Sequence, residues 1–210
     1  VKVLNLFSGI GGNRKCWENV EVTAVEYDYE IAAIYQSFFP DDTVIVADAH
    51  QYLLDHYREF DFIWSSPPCP THSEIRVCGS KRGQYPPMYP DFRLWQEITF
   101  LKHYTKDVAW VVENVKPYYE PIVEPTFKLD RHYFWASFLA PQHKFKRKET
   151  PLIHTNGSQE IFGFDISKFK VQKRKDQILR NMVNPEVGLY ILNAAMKQTH
   201  PGRQQTLFEI

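Results

Sequence analysis

The run from Val1 to Phe7 is short, β-branched and apolar, and it stops on Ser8-Gly9-Ile10-Gly11-Gly12. That is the pattern of a buried strand entering a glycine-rich turn. Comparable runs recur at Val22 to Tyr27, Thr43 to Ala47, Phe60 to Ser65 and Ala109 to Val115, each ending in polar or turn-forming residues. Tyr29 to Phe39 and His50 to Arg58, lying between them, have the spacing of helices. Strands that alternate with helices in this way predict an α/β domain with a largely parallel sheet. Open sheets of that kind bind ligands at the carboxyl ends of their strands.

Residues 66–90 break the rhythm with Pro67, Pro68, Pro70, Gly79, Gly83, Pro86, Pro87 and Pro90, and read as one long loop. A loop of that length in a compact domain is usually functional. Asp91 to Tyr104 has helical spacing, with Phe92, Trp95, Ile98, Leu101 and Phe100 forming an apolar face. Tyr133 to Phe138 reads as a further strand and Pro185 to Met196 as a last helix, followed by a polar tail. With 210 residues, 43% of them hydrophobic, the chain suits one domain with a sizeable core.

The formal charge is zero but unevenly placed. Residues 1–65 carry eleven Asp/Glu against four Lys/Arg, a balance of −7, whereas residues 141–180 carry ten Lys/Arg against four Asp/Glu, a balance of +6. The second stretch, with Phe145, Phe162, Phe164 and Phe169 interleaved, could face phosphates, or Lys144 to Lys148 and Lys168 to Lys175 could be solvated surface. Three cysteines with no secretory leader point to a reducing, cytoplasmic setting. No apolar run approaches the ~20 residues that span a bilayer. Neither Cys16, expected in a helix after the glycine turn, nor Cys78 has a partner at metal-ligand spacing, so no metal site is expected.

The glycine turn lets backbone come close to a ligand. Glu26, at the end of the second strand, stands where an acid can accept hydrogen bonds from both ribose hydroxyls of a nucleoside, and Asp48 closes the third strand in the same way. The alternative for each is a strand-end carboxylate in water. Ser65-Ser66-Pro67-Pro68-Cys69-Pro70 is more specific, because it sets a thiol directly after a buried strand in a stretch that proline stiffens. A thiolate is a suitable nucleophile for carbon 6 of a pyrimidine, and that addition makes carbon 5 nucleophilic. Glu113, ending the strand Ala109-Trp110-Val111-Val112, can assist at ring nitrogen 3.

With these residues the chain resembles the cytosine carbon-5 DNA methyltransferases. Phe7-Ser8-Gly9-Ile10-Gly11-Gly12 looks like their cofactor turn, Pro67-Pro68-Cys69 their nucleophile motif and Glu113-Asn114-Val115 their catalytic acid motif, in the family's order. Asp91 to Glu97 resembles the helix after the catalytic loop, and Arg180-Asn181-Met182-Val183-Asn184-Pro185 the late segment that returns beside the cofactor. The resemblance implies a Rossmann-like methyltransferase fold and S-adenosylmethionine as cofactor. It implies a core at residues 1–138, a minimal basic target-recognition segment at 139–179, a returning segment at 180–198 and a flexible tail at 199–210. The cofactor would lie against Phe7, Ser8, Gly9, Ile10, Gly11, Gly12, Glu26, Tyr27, Asp48, Ala49, Pro67, Asn181 and Val183. Glu26 would hold the ribose and Asp48 the adenine amino group. Pro68 would shape the turn and Cys69 would bond to carbon 6 of a cytosine flipped out of double-stranded DNA.

Two positions depart from the family pattern. Where an Arg-x-Arg pair usually stands, the chain has Asp130-Arg131-His132, so Arg131, or else His132, takes the contact with the cytosine oxygen. Arg180 replaces the glycine usual before the late asparagine. Only the 41 residues between Phe138 and Arg180 are left for target recognition, so phosphate contacts from Arg76, Lys81, Arg82, Lys146, Arg147, Lys173 and Arg174 are expected to carry much of the affinity. The tail Gln204-Gln205-Thr206-Leu207-Phe208 resembles the peptide by which bacterial replication proteins bind the sliding clamp. The expected protein is a monomeric restriction-modification or phage type enzyme of a bacterial cytoplasm. A tRNA cytosine methyltransferase and a catalytically silent DNA-binding relative are the alternatives.

Overall fold

Each central strand carries two apolar sets that alternate along it, and this alternation sandwiches the sheet between two cores. In β1 (Lys2–Leu6), Val3 faces one core while Leu4 and Leu6 face the other. Phe62 and Trp64 of β4 (Phe62–Ser65) and Val111 of β5 (Ala109–Val115) join Val3; Ile63, Trp110 and Val112 join Leu4. The computed structural model describes residues 1–129, 131–145 and 160–199. The clamp-like tail motif Gln204 to Phe208 and the basic residues Lys146 and Arg147 lie outside these.

With β2 (Glu21–Glu26), β3 (Thr43–Val46), β6 (Phe127–Leu129) and β7 (His132–Ala136), the sheet has seven strands in the order β3-β2-β1-β4-β5-β7-β6. The pairs from β3 through to β5 are parallel, and β7 runs antiparallel to both β5 and β6. The fold is thus α/β with a mostly parallel, Rossmann-like sheet. Strand order reverses between β1 and β4, and a crevice opens at the carboxyl ends of strands at such a point.

Helix α1 (Tyr29–Phe38) begins where Asp28 accepts the backbone N–H groups of Glu30 and Ile31, and α2 (Ala49–His56) where Asp48 accepts that of Gln51. Both caps follow the carboxyl end of a strand. In α4 (Arg93–Tyr104), Leu94, Trp95, Ile98 and Leu101 are buried, with Ile98 and Leu101 at 1% exposure or less. Phe92, expected on that face, precedes the helix and is exposed, and Leu94 takes its place. The stretch read as one loop contains α3 (Glu74–Lys81), and the residues after Gly12 form successive tight turns rather than a helix around Cys16.

The hairpin β8 (Glu160–Ile161) and β9 (Phe164–Asp165), with α5 (Lys175–Arg180), packs on α1: Phe164, Ile166, Ile178 and Leu179 cluster with Ile31, Ile34 and Ile10. Lys15 donates to the Phe162 carbonyl and lies over the Phe164 ring. This part of the basic segment therefore docks on the side of the molecule that carries the glycine turn. Helix α6 (Pro185–Thr199) returns to the core through Val187, Ile191 and Leu192.

Candidate active site

The turn after β1 requires its glycines. Gly9 and Gly11 have φ of +54° and +86°, and Phe7 shares the left-handed region at +52°. A Cβ on Gly12 would come within 2.5 Å of the Val183 carbonyl oxygen and 2.8 Å of Met182 Cβ, so the returning segment closes the turn from behind. Gly188 of α6 likewise presses on Asn13, where a Cβ would lie 2.7 Å from Cα. Asn13 in turn exchanges a buried side-chain hydrogen bond of 2.8 Å with Asn5 of β1.

Glu26 stands at the end of β2, half-buried, and braces this turn. It accepts the Gly9 N–H on Oε2 and the Asp28 N–H on Oε1, both at 3.0 Å. Each carboxylate oxygen retains a second lone pair for a further donor. A Cβ on Gly9 would meet nothing within 4 Å, so the backbone there borders open space. Ser8 Oγ is buried with no partner among the described residues. Asp48 is exposed and gives Oδ1 to the Gln51 N–H at 3.0 Å; Ala49 beside it is buried, and Tyr27 is exposed. Ile10 is buried, Val183 half-buried and Asn181 exposed. The two acids therefore have structural duties as well as a position beside the crevice.

On the other side of β1, the turn after β4 holds the thiol. Pro67 is buried, Pro68 exposed and Cys69 half-buried. The Cys69 carbonyl accepts the N–H groups of His72 at 3.0 Å and Ser73 at 3.1 Å, which curls the chain tightly behind the sulfur. Asn114 Nδ2 donates to the Pro67 carbonyl at 2.9 Å and so links this turn to β5. Glu113, the residue before, is 7% exposed. Burial pushes the Cys69 thiol above its ordinary range, the Glu113 carboxylate adds to the rise, and the Arg131 cation opposes it. The structure thus brings Cys69, Glu113 and Arg131 into one electrostatic neighbourhood. His132 Nε2 lies 3.5 Å from Glu113 Oε1. Arg131 itself is exposed, in the turn between β6 and β7.

The proposed phosphate contacts fall into two groups. Lys81 and Arg82 are exposed at the end of α3, while the half-buried Arg76 guanidinium lies 4.4 Å from the Tyr85 ring centroid. Tyr89 and Met88 nearby are exposed. By contrast, Lys173 pairs with Asp28 at 2.7 Å and Arg174 with Asp176 at 2.8 Å, so both are engaged inside the chain. The Lys173 ammonium also holds the Asp28 carboxyl below its ordinary range.

Residues 1–128 match the family of the C-5 cytosine-specific DNA methylases. The chain belongs to that family. Among solved structures it is similar to a DNMT2 mutant from Spodoptera frugiperda, at 26% identity and a TM-score of 0.39 over 55% of this chain and 35% of that one. It is also similar to the methyltransferase EhMeth of Entamoeba histolytica, at 20% identity and 0.36 over 55% and 38%. A third is a putative DNA modification methyltransferase encoded within an E. coli prophage, at 19% identity and 0.37 over 57% and 33%. The chain thus spans between 33% and 38% of the length of these proteins. No match was found among curated proteins.

The cofactor of C-5 cytosine methylases is S-adenosylmethionine. The open space beside Gly9, the orphaned Ser8 Oγ and the remaining acceptor capacity of Glu26 fit such a ligand. Among the described residues no group of three or more His, Cys, Asp and Glu could hold a metal, and no helix is long and apolar enough to cross a membrane. Sequence reasoning missed four residues around the crevice. His72 is buried and Nδ1 lies 2.6 Å from Tyr119 Oη. His50 is edge-on to Phe7 at 5.0 Å and has Nδ1 2.8 Å from the carboxylate of buried Glu97. No local pattern marks them, because each pair joins segments distant in sequence.

Proposed function

We propose that the protein is a DNA cytosine-5 methyltransferase that acts on a base flipped out of the duplex. The observation that supports this most strongly is that the Cys69 turn and Glu113 lie at the ends of the adjacent parallel strands β4 and β5, tied together by the Asn114 bond to the Pro67 carbonyl. The Cys69 thiolate adds to carbon 6 while Glu113 supplies a proton or hydrogen bond at ring nitrogen 3. Held against the turn at 7–12 and Glu26, S-adenosylmethionine would supply the methyl group for carbon 5 and leave as S-adenosylhomocysteine; loss of the carbon 5 proton to a base would then let Cys69 depart by elimination. The contact with the cytosine oxygen is assigned to Arg131, His132 being the alternative, with its Nε2 3.5 Å from Glu113 Oε1.

Arg76, Lys81 and Arg82 are assigned to phosphates, beside exposed Tyr89 and Met88, which suit contact with disturbed base stacking. The internal pairing of Lys173 and Arg174 argues against equal roles for them. Cofactor contacts are assigned to the turn at 7–12, to Glu26, Tyr27, Asp48, Ala49 and Pro67, and to Asn181 and Val183. Bisulfite sequencing of DNA and tRNA from cells expressing the protein, with a Cys69→Ser control, tests the reading. Cytosine methylation in DNA that vanishes in the control is expected; methylation confined to tRNA, or unchanged by the substitution, overturns it.

A further inference from the structure

The backbone carbonyl of Cys69 is held by the N–H of His72, and the His72 side chain is itself held from elsewhere. Its ring is 1% exposed, with Nδ1 2.6 Å from Tyr119 Oη. Trp95 Nε1 of α4 also reaches Tyr119 Oη, at 3.2 Å. An indole N–H can only donate, so the Tyr119 oxygen accepts from Trp95 and still has a lone pair and its own hydrogen with which to meet His72 Nδ1. His72 Nε2 is buried without a partner among the described residues.

The backbone repeats the connection. The His72 carbonyl accepts the Tyr118 N–H at 3.0 Å, and Ser73 bridges Pro117 in antiparallel fashion. Thr71 Oγ1 accepts the Asp91 N–H at 3.0 Å, so the start of α4 is tied in as well. Residues 117–119 follow directly on β5, the strand that carries Glu113. Burial keeps the ring neutral, since it lowers the His72 pKa from its ordinary value. A side chain that merely filled this space would do so at less cost without an orphaned ring nitrogen.

We infer that His72 is a positioning residue: with Tyr119 it forms a buried clasp that holds the Cys69 turn at a fixed place relative to the exit of the Glu113 strand. The catalytic meaning of the clasp rests on the reading of Cys69 as nucleophile; its mechanical meaning does not. Tyr119→Phe deletes one oxygen and keeps the ring. His72→Phe removes both ring nitrogens, and His72→Asn retains an acceptor near the Nδ1 position.

Two readouts separate the two meanings. The first is the rate at which a 5-fluorocytosine duplex is trapped covalently in the presence of S-adenosylmethionine. Tyr119→Phe and His72→Phe are each expected to slow trapping about tenfold, with the cofactor Kd changed less than about twofold, and the double variant to be no slower than the slower single one. His72→Asn should stay near wild type. The second is alkylation of Cys69 by iodoacetamide, mapped by mass spectrometry with Cys16 as internal reference. It should quicken about threefold in Tyr119→Phe and His72→Phe as the turn loosens. Wild-type rates of trapping and alkylation in Tyr119→Phe, or fully additive losses in the double variant, overturn the clasp. Absence of trapping by the wild-type protein sinks the methyltransferase reading instead, and the alkylation rates still decide the clasp.

Discussion

Asn114 donates from Nδ2 to the Pro67 carbonyl across 2.9 Å, which fastens the strand carrying Glu113 to the turn carrying Cys69. Its Oδ1 accepts the Val115 N–H at 2.9 Å, so one buried amide uses one end on its own strand and the other on the turn after β4. Asn114→Ala strands the Pro67 carbonyl and should cost about 1–3 kcal/mol of folding stability. Denaturant unfolding measures that cost, and covalent trapping of a 5-fluorocytosine duplex should slow in the same variant. An unchanged unfolding midpoint would show that the link is incidental.

The Cys69 thiol is held up first by burial and next by the Glu113 carboxylate, with Arg131 working in the opposite sense. A raised thiol pKa means that alkylation of Cys69 in the free protein should inflect above the ordinary cysteine value of about 8.5. Glu113→Gln removes a like charge and should move the inflection down, whereas Arg131→Ala should move it up. The first substitution therefore makes the sulfur more reactive towards iodoacetamide while lowering methyl transfer by about 10²–10⁴-fold. A parallel fall in both activities would contradict the assigned role of Glu113.

Gly9 and Gly12 should respond differently to alanine. At Gly9, with φ of +54° and nothing within 4 Å of the added Cβ, the substitution costs about 1–2 kcal/mol of backbone strain and intrudes on the space assigned to the cofactor. At Gly12 the Cβ meets the Val183 carbonyl oxygen at 2.5 Å, so the returning segment must shift and thermal stability should fall more steeply. Calorimetry of S-adenosylmethionine binding and of unfolding separates the two. Equal cofactor affinity in Gly9→Ala and wild type would place the ligand elsewhere.

A buried network behind the turn supports the site from further away. Arg14 grips Asp42 through Nε at 2.8 Å and Nη2 at 3.0 Å, and Tyr35 Oη donates to the same carboxylate at 2.8 Å. The side chains of Arg14 and Asp42 are 14% and 4% exposed, so Asp42→Ala leaves a guanidinium largely out of water without its counter-charge. Breaking a buried pair in this way should destabilise by about 3–5 kcal/mol. Thermal unfolding checks this, and a loss below about 1 kcal/mol would mean that water reaches Arg14 freely.

The parallel strands were legible because each is a short apolar run bounded by turn residues, and the expected ends lie within two residues of those observed. The gathering of Cys69, Glu113, Glu26 and the glycine turn at one edge of the sheet was legible for a related reason: residues that end neighbouring parallel strands come together there. Helix α3 was hidden among prolines and glycines, whose turn signals outweighed eight residues of modest propensity. Phe92 fits a helical apolar stripe by spacing, but the helix starts one residue later and turns it outward. The docking of Phe164 and Ile178 on α1, and the Lys173 pairing with Asp28, depend on packing between distant segments, to which local periodicity is blind.

The contact of Gly12 with Val183, and of Asn13 with Gly188, sets an order of events for a chain made from its amino end. Strands β1 to β5 can pair while translation continues, but the turn at 8–12 has no wall behind it until Met182, Val183 and Gly188 emerge. A nascent polypeptide halted short of Met182 would already hold Cys69 and Glu113, yet its glycine turn would lack the backing that fixes its shape. Completion of that turn is thus deferred until segments far apart in the sequence have met.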